Sequence, residues 1–78
     1  MGADGMTTLR DVPVGSAAKV KRVNGEGSLK RHIMEMGITK GASVYVRRVA
    51  PLGDPMEITL RGYELSLRKE HAEMVEVE

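Results

Sequence analysis

Thirteen residues, Met56 to Arg68, constrain the fold more than any others in the chain. They read M-E-I-T-L-R-G-Y-E-L-S-L-R. Met56, Ile58 and Leu60 alternate with Glu57, Thr59 and Arg61; Tyr63, Leu65 and Leu67 then alternate with Glu64, Ser66 and Arg68. Period-two alternation gives each run one dry face and one wet face, which is the pattern of a half-buried strand. The link through Arg61 and Gly62 is too short for anything but a tight hairpin, with Gly62 free to take a positive φ. The two runs are therefore antiparallel neighbours, and Tyr63 is expected in the core with Leu65 and Leu67.

Two earlier runs, Ala17 to Val23 and Ser43 to Ala50, share a fault in their alternation. Val20 and Val23 are three apart, as are Val46 and Val49, so strict alternation would leave one valine of each pair outside. A bulge at the intervening basic pair, Lys21-Arg22 or Arg47-Arg48, turns both valines inward and bends the strand. Strands bent in this way are what closing a small barrel requires.

Between these runs lies one helix signal. Ser28 is read as its N-cap, Leu29, Ile33 and Met36 as its inward face, and Gly37 with Ile38 as a left-handed ending. The Pro- and Gly-rich stretch Ala50 to Pro55 is a loop between strands. Arg68 to Glu73 reads as a helical turn, and Val75 to Val77 as a closing strand with Glu76 and Glu78 outward. Met1 to Gly5 reads as a flexible tail, leaving residues 6–78 as a single domain. The expected fold is mainly β: a small, partly open, SH3-like barrel of about five strands with one short α-helix and a helical turn.

Composition removes several function classes. There is no Cys, so disulfide staples, thiolate metal centres and Cys nucleophiles are excluded. No apolar run approaches the roughly twenty residues that span a bilayer, and the first residues lack a secretory leader's apolar stretch, so a soluble cytoplasmic protein is expected. A barrel this small fills its interior with its own side chains, which leaves little room for a catalytic cleft, so no enzymatic activity is expected. Tyr45 and Tyr63 are the only aromatic residues, too few for a proline-rich peptide groove. Arg10 to Arg48 carries net charge +6 and Val49 to Glu78 carries −4. If the halves stay apart in space, Lys19, Lys21, Arg22, Arg47 and Arg48 could hold phosphates with Tyr45 stacking on a base, which makes RNA binding the rival reading. If they interleave, this is an ordinary mixed surface.

Four segments in this order resemble the FeoA family of bacterial ferrous-iron uptake: the L-x-x-V-x-x-G of Leu9, Val12 and Gly15; K-R-H-I-M-E-M-G-I-T-K-G-A-S-V from Lys30 to Val44; A-P-L-G-D-P from Ala50 to Pro55; and L-R-K-E-H-A from Leu67 to Ala72. The resemblance runs from about Leu9 to Val77. It implies an SH3-like accessory protein that works with a FeoB-type membrane permease, whose cytosolic part carries a GTPase domain. On this reading the protein is peripheral to the inner membrane through its partner, and monomeric or weakly self-associating. FeoA domains are also similar to the C-terminal domain of metal-dependent repressors, but no helix-turn-helix precedes the barrel here, so DNA binding is not expected.

The partner-binding candidates are the exposed helix side, Lys30, Arg31 and Glu35, and the loop Pro51, Leu52, Gly53, Asp54 and Pro55. An iron-uptake family also directs attention to divalent transition metals, ferrous iron first. His32 and Glu35 stand at i, i+3 on the helix, and Glu70, His71 and Glu73 cluster on the later turn. These are candidates for weak binding only, since a tight site needs three or more converging ligands.

Overall fold

The computed structural model describes residues 7–78. The expected tail, Met1 to Gly5, and the domain's first residue Met6 lie outside the described residues. The chain runs through β1 (Thr7–Thr8), a 3-10 turn (Leu9–Asp11), β2 (Ala17–Val23), α1 (Gly27–Glu35), β3 (Ser43–Val49), β4 (Met56–Leu60), β5 (Tyr63–Leu67), α2 (Lys69–Ala72) and β6 (Val75–Val77). The strands form one antiparallel sheet in the order β1-β6-β2-β3-β4-β5. The strand beyond the expected five is β1, two residues that pair Thr7 with Val77 and Thr8 with Glu76. Two residues carry no periodicity to read.

Both bulges fall where the valine spacing places them. On β2, Val20 pairs with Val77 and Arg22 with Glu76, leaving Lys21 as the extra residue; on β3, Val46 pairs with Ile58 and Arg48 with Glu57, leaving Arg47. Val20, Val23 and Val46 are buried and Val49 is half-buried against the core. The bulge on β2 also marks a change of partner. Ala17 to Lys19 pair with β3, and Val20 to Val23 pair with β6. A strand that serves two neighbours across a bend curls the sheet towards a barrel.

The hairpin turn follows from its two residues. Arg61 (φ +53) and Gly62 (φ +86) are both left-handed, the two-residue form whose twist matches the flanking strands. Met56, Ile58 and Leu60 of β4 are buried, and so is Leu67 of β5. Tyr63, however, is 67% exposed, not a core residue. β5 is the outer strand of the sheet, so its hairpin end has a neighbour on one side only.

The helix starts earlier than expected. Gly27 (φ +77) turns the chain in behind Glu26, so Ser28 lies inside the first turn instead of capping it. Ile33 is fully buried and Met36 packs half-buried on the core, but Leu29 in the first turn stays 40% exposed. The helix therefore docks through its later turns. It ends as read: Gly37 (φ +98) donates its N–H to the Met34 carbonyl at 3.0 Å, and Ile38 is fully buried. Leu9, Ile33, Ile38, Ile58, Leu60 and Leu67 are the largest fully buried side chains.

Candidate docking surfaces

The two halves of the charge pattern interleave in space. Glu57 on β4 accepts from Arg47 at 3.1 Å and lies 3.5 Å from Arg48, while Glu64 on β5 lies 3.6 Å from Arg47. Glu76 on β6 sits 3.5 Å from both Lys21 and Arg22, and Arg10 meets Glu73 at 2.9 Å. Each basic bulge thus faces a glutamate on the adjacent strand. Surface pairs add little stability, yet these set three glutamates among the cations that RNA binding would need, leaving Lys19 alone of those five without an ion pair among the described residues.

Glu76 is buried, contrary to the outward position its alternation implies. Burial pushes its carboxyl pKa up; the Asn24 amide, donating to Oε1 at 3.4 Å, and then Arg22 and Lys21 outweigh this and hold it below the ordinary carboxylate value. Its role is to fasten the β2 bulge to β6.

The metal candidates divide between two places. His32 and Glu35 are exposed on α1. On α2, His71 Nε2 lies 3.9 Å from Glu70 Oε2, while Glu73 is taken by Arg10. Among the described residues no three His, Asp or Glu side chains converge.

The two partner-binding candidates also separate. β3 runs from the α1 end of the sheet to the loop between β3 and β4, so the helix and the loop stand at opposite ends of that strand. At the first end, Gly27, Lys30, Arg31, Met34, Glu35 and Thr39 line a shallow surface groove of about 450 Å³, with Met34 42% exposed.

At the other end the loop is closed by its own hydrogen bonds. Gly53 (φ +86) donates to the Ala50 carbonyl at 2.7 Å, and Ala50 donates to the Pro55 carbonyl at 3.0 Å. Asp54 reaches across the fold, its Oδ1 accepting the Lys69 N–H at 2.9 Å. Lys69 opens α2, and Arg68 before it supplies no side-chain cap. Asp54 is therefore the cap of α2, delivered from fifteen residues upstream. Leu52 at the tip is 92% exposed. Beside it, Asp54 and Pro55 join Ser66 and Arg68 in a second groove of about 340 Å³. Sequence reasoning missed Ser66 and Arg68 because strand pairing alone brings them to this loop; Asp54 before a proline was the available signal.

Among the described residues no helix is long and apolar enough to cross a membrane. A family model described as the FeoA domain matches residues 7–78. A fusion protein of Porphyromonas gingivalis, an Fe(2+) transport protein A joined to the Fe(2+) transporter FeoB, is 39% identical over 70 residues, covering 90% of this chain. The chain spans only 8% of that relative's length. The solution structure of a FeoA-like protein from Clostridium acetobutylicum superposes with a TM-score of 0.87 at 42% identity, covering 94% of this chain and 85% of that one. Stenotrophomonas maltophilia FeoA, described as a prokaryotic SH3 domain protein and solved with zinc, gives a TM-score of 0.82 at 26% identity, covering 92% and 89%.

Proposed function

The chain belongs to the FeoA domain family, and from that premise we propose that it is a non-enzymatic adaptor that docks on the cytosolic part of a FeoB-type permease and modulates ferrous-iron transport. The observation that carries this reading is the fusion in Porphyromonas gingivalis, where a matching segment and the transporter are one polypeptide. Covalent linkage turns an encounter between two partners into an intramolecular one, which is of use only if the two act together. Wherever the two are separate polypeptides, affinity must supply what the fusion supplies by connection.

Docking modulates transport only if affinity differs between permease states, since equal binding to both shifts neither. One face of so small a barrel buries less than a standard interface, so a modest, reversible affinity is expected. The adaptor works at the cytosolic face, held there by its partner. Iron is the permease's cargo in this scheme. The Glu70–His71 pair, with two neighbouring donors, accounts only for weak divalent-metal binding.

The test is co-purification of the full chain with the full-length permease from the same source. Saturable, stoichiometric capture supports the adaptor reading. Absence of capture in both nucleotide-free and GTP-loaded permease rejects it.

A further inference from the structure

Building on that docking reading, we infer that Leu52 is the anchor of the interface: its side chain enters a leucine-sized apolar socket on a protein surface of the permease, and Arg68 meets a carboxylate at the socket's rim. A singly exposed apolar residue needs no explanation in itself. Leu52 differs in how it is held. It is 92% exposed and packs on nothing, yet the loop that carries it is fixed by hydrogen bonds from Gly53, from Ala50 and onto Asp54, and two prolines flank the tip. Ordering a side chain's backbone is a cost that binding ordinarily bears; here the fold has already met it. A preorganised apolar tip beside a groove edged by Asp54, Ser66 and Arg68 supplies an apolar centre that a partner can desolvate, with charged groups at its rim.

Arg68 supplies that rim's charge. It is exposed, lines the groove next to Asp54 and Pro55, and makes no ion pair among the described residues. The Asp54 carboxylate accepts from the Lys69 N–H and makes no ion pair with Arg68, whose guanidinium is open to a carboxylate from outside.

A lipid surface fits the same features poorly. Asp54, Arg68, Lys69 and Glu70 balance to no net charge at this end, so anionic headgroups gain no attraction. One leucine buries far less than a myristoyl chain, which alone binds membranes only marginally. A folded protein socket is the occupant that suits one rigid apolar tip and one free cation.

The test measures affinity of the full chain for the full-length permease in nanodiscs, with empty nanodiscs of the same lipid alongside. Leu52→Ala is expected to weaken binding about tenfold to a hundredfold, and Leu52→Asp further, with the thermal midpoint unmoved in either. Tyr63→Ser, which removes the 67% exposed aromatic side chain at the hairpin end, is expected to change affinity by no more than about twofold. If the wild type binds and Leu52→Ala binds equally, the anchor assignment is wrong while the adaptor reading stands. Equal losses from Tyr63→Ser and Leu52→Ala also overturn it. Capture by empty nanodiscs that Leu52→Asp abolishes assigns the tip to lipid and overturns the socket. No binding of the wild type to permease nanodiscs removes the adaptor reading, and the anchor with it.

Discussion

Replacing Asp54 by alanine separates the loop's architecture from its composition. Among the described residues the Asp54 carboxylate is the one side-chain acceptor at the start of α2, holding the Lys69 N–H at 2.9 Å. The bond is exposed, so its loss strands no buried donor and the expected cost is that of a missing helix cap, about 1 kcal/mol. For a domain of this size that lowers the thermal midpoint by roughly 4–8 °C. Chemical denaturation should give the same loss with an unchanged denaturant slope, and amide hydrogen exchange should show Lys69 losing protection before the strand amides of β4 do. Asp54→Asn keeps an acceptor oxygen and should recover most of the stability. The cap assignment is refuted if Asp54→Ala leaves the midpoint and the Lys69 exchange rate where they were, or if Asp54→Asn is as damaging as alanine. Because the same carboxylate fastens the loop, Asp54→Ala should also weaken permease binding while Leu52 is still present.

Three further perturbations probe other parts of the fold. Gly37→Ala places a Cβ 3.3 Å from Leu60 Cδ2 in a left-handed conformation, and should cost at least about 1–2 kcal/mol in denaturant unfolding; a change under about 0.5 kcal/mol would contradict the tight helix ending. Glu76 has a folded pKa below its unfolded one, so the stability it contributes is complete above the unfolded carboxylate pKa, about 4.3, and is lost as pH falls through the folded value. Glu76→Gln should therefore flatten the acid limb of the stability–pH curve, and an unaltered limb would place that titration elsewhere. With Lys21, Arg22, Arg47 and Arg48 interleaved with Glu57, Glu64 and Glu76, single-stranded RNA should show no salt-dependent binding in fluorescence anisotropy; a steep salt slope would restore the nucleic-acid reading.

Local patterns made most of the framework legible. The hairpin was readable because alternation and a two-residue turn leave a single pairing, and the bulges because two valines three apart must both go inward. Tyr63 keeps that alternation yet is exposed, because period two says which face a residue takes but not whether another element lies over that face. Leu29 failed similarly: helical spacing placed it beside Ile33, while the helix leans on the barrel only through its later turns. β1 was hidden by its two-residue length. At the candidate site, the loop of residues 51–55 was visible in its prolines and glycine. Its bond to Lys69, the proximity of Ser66 and Arg68, and the burial of Glu76 depend on pairings between distant segments, and no periodicity within a segment encodes them. The metal candidates meet the same limit, since spacing along one helix can set two donors side by side but cannot bring in a third from another element.

The most direct measurement of the central claim is an amide NMR titration of the labelled full chain with the cytosolic part of the permease from its own source. Docking through the loop end predicts saturable shifts confined to residues 51–55 and 66–69, with the 27–39 segment and the hairpin turn unmoved. Saturation confined to the α1 groove, or no shifts at near-millimolar partner, would contradict it.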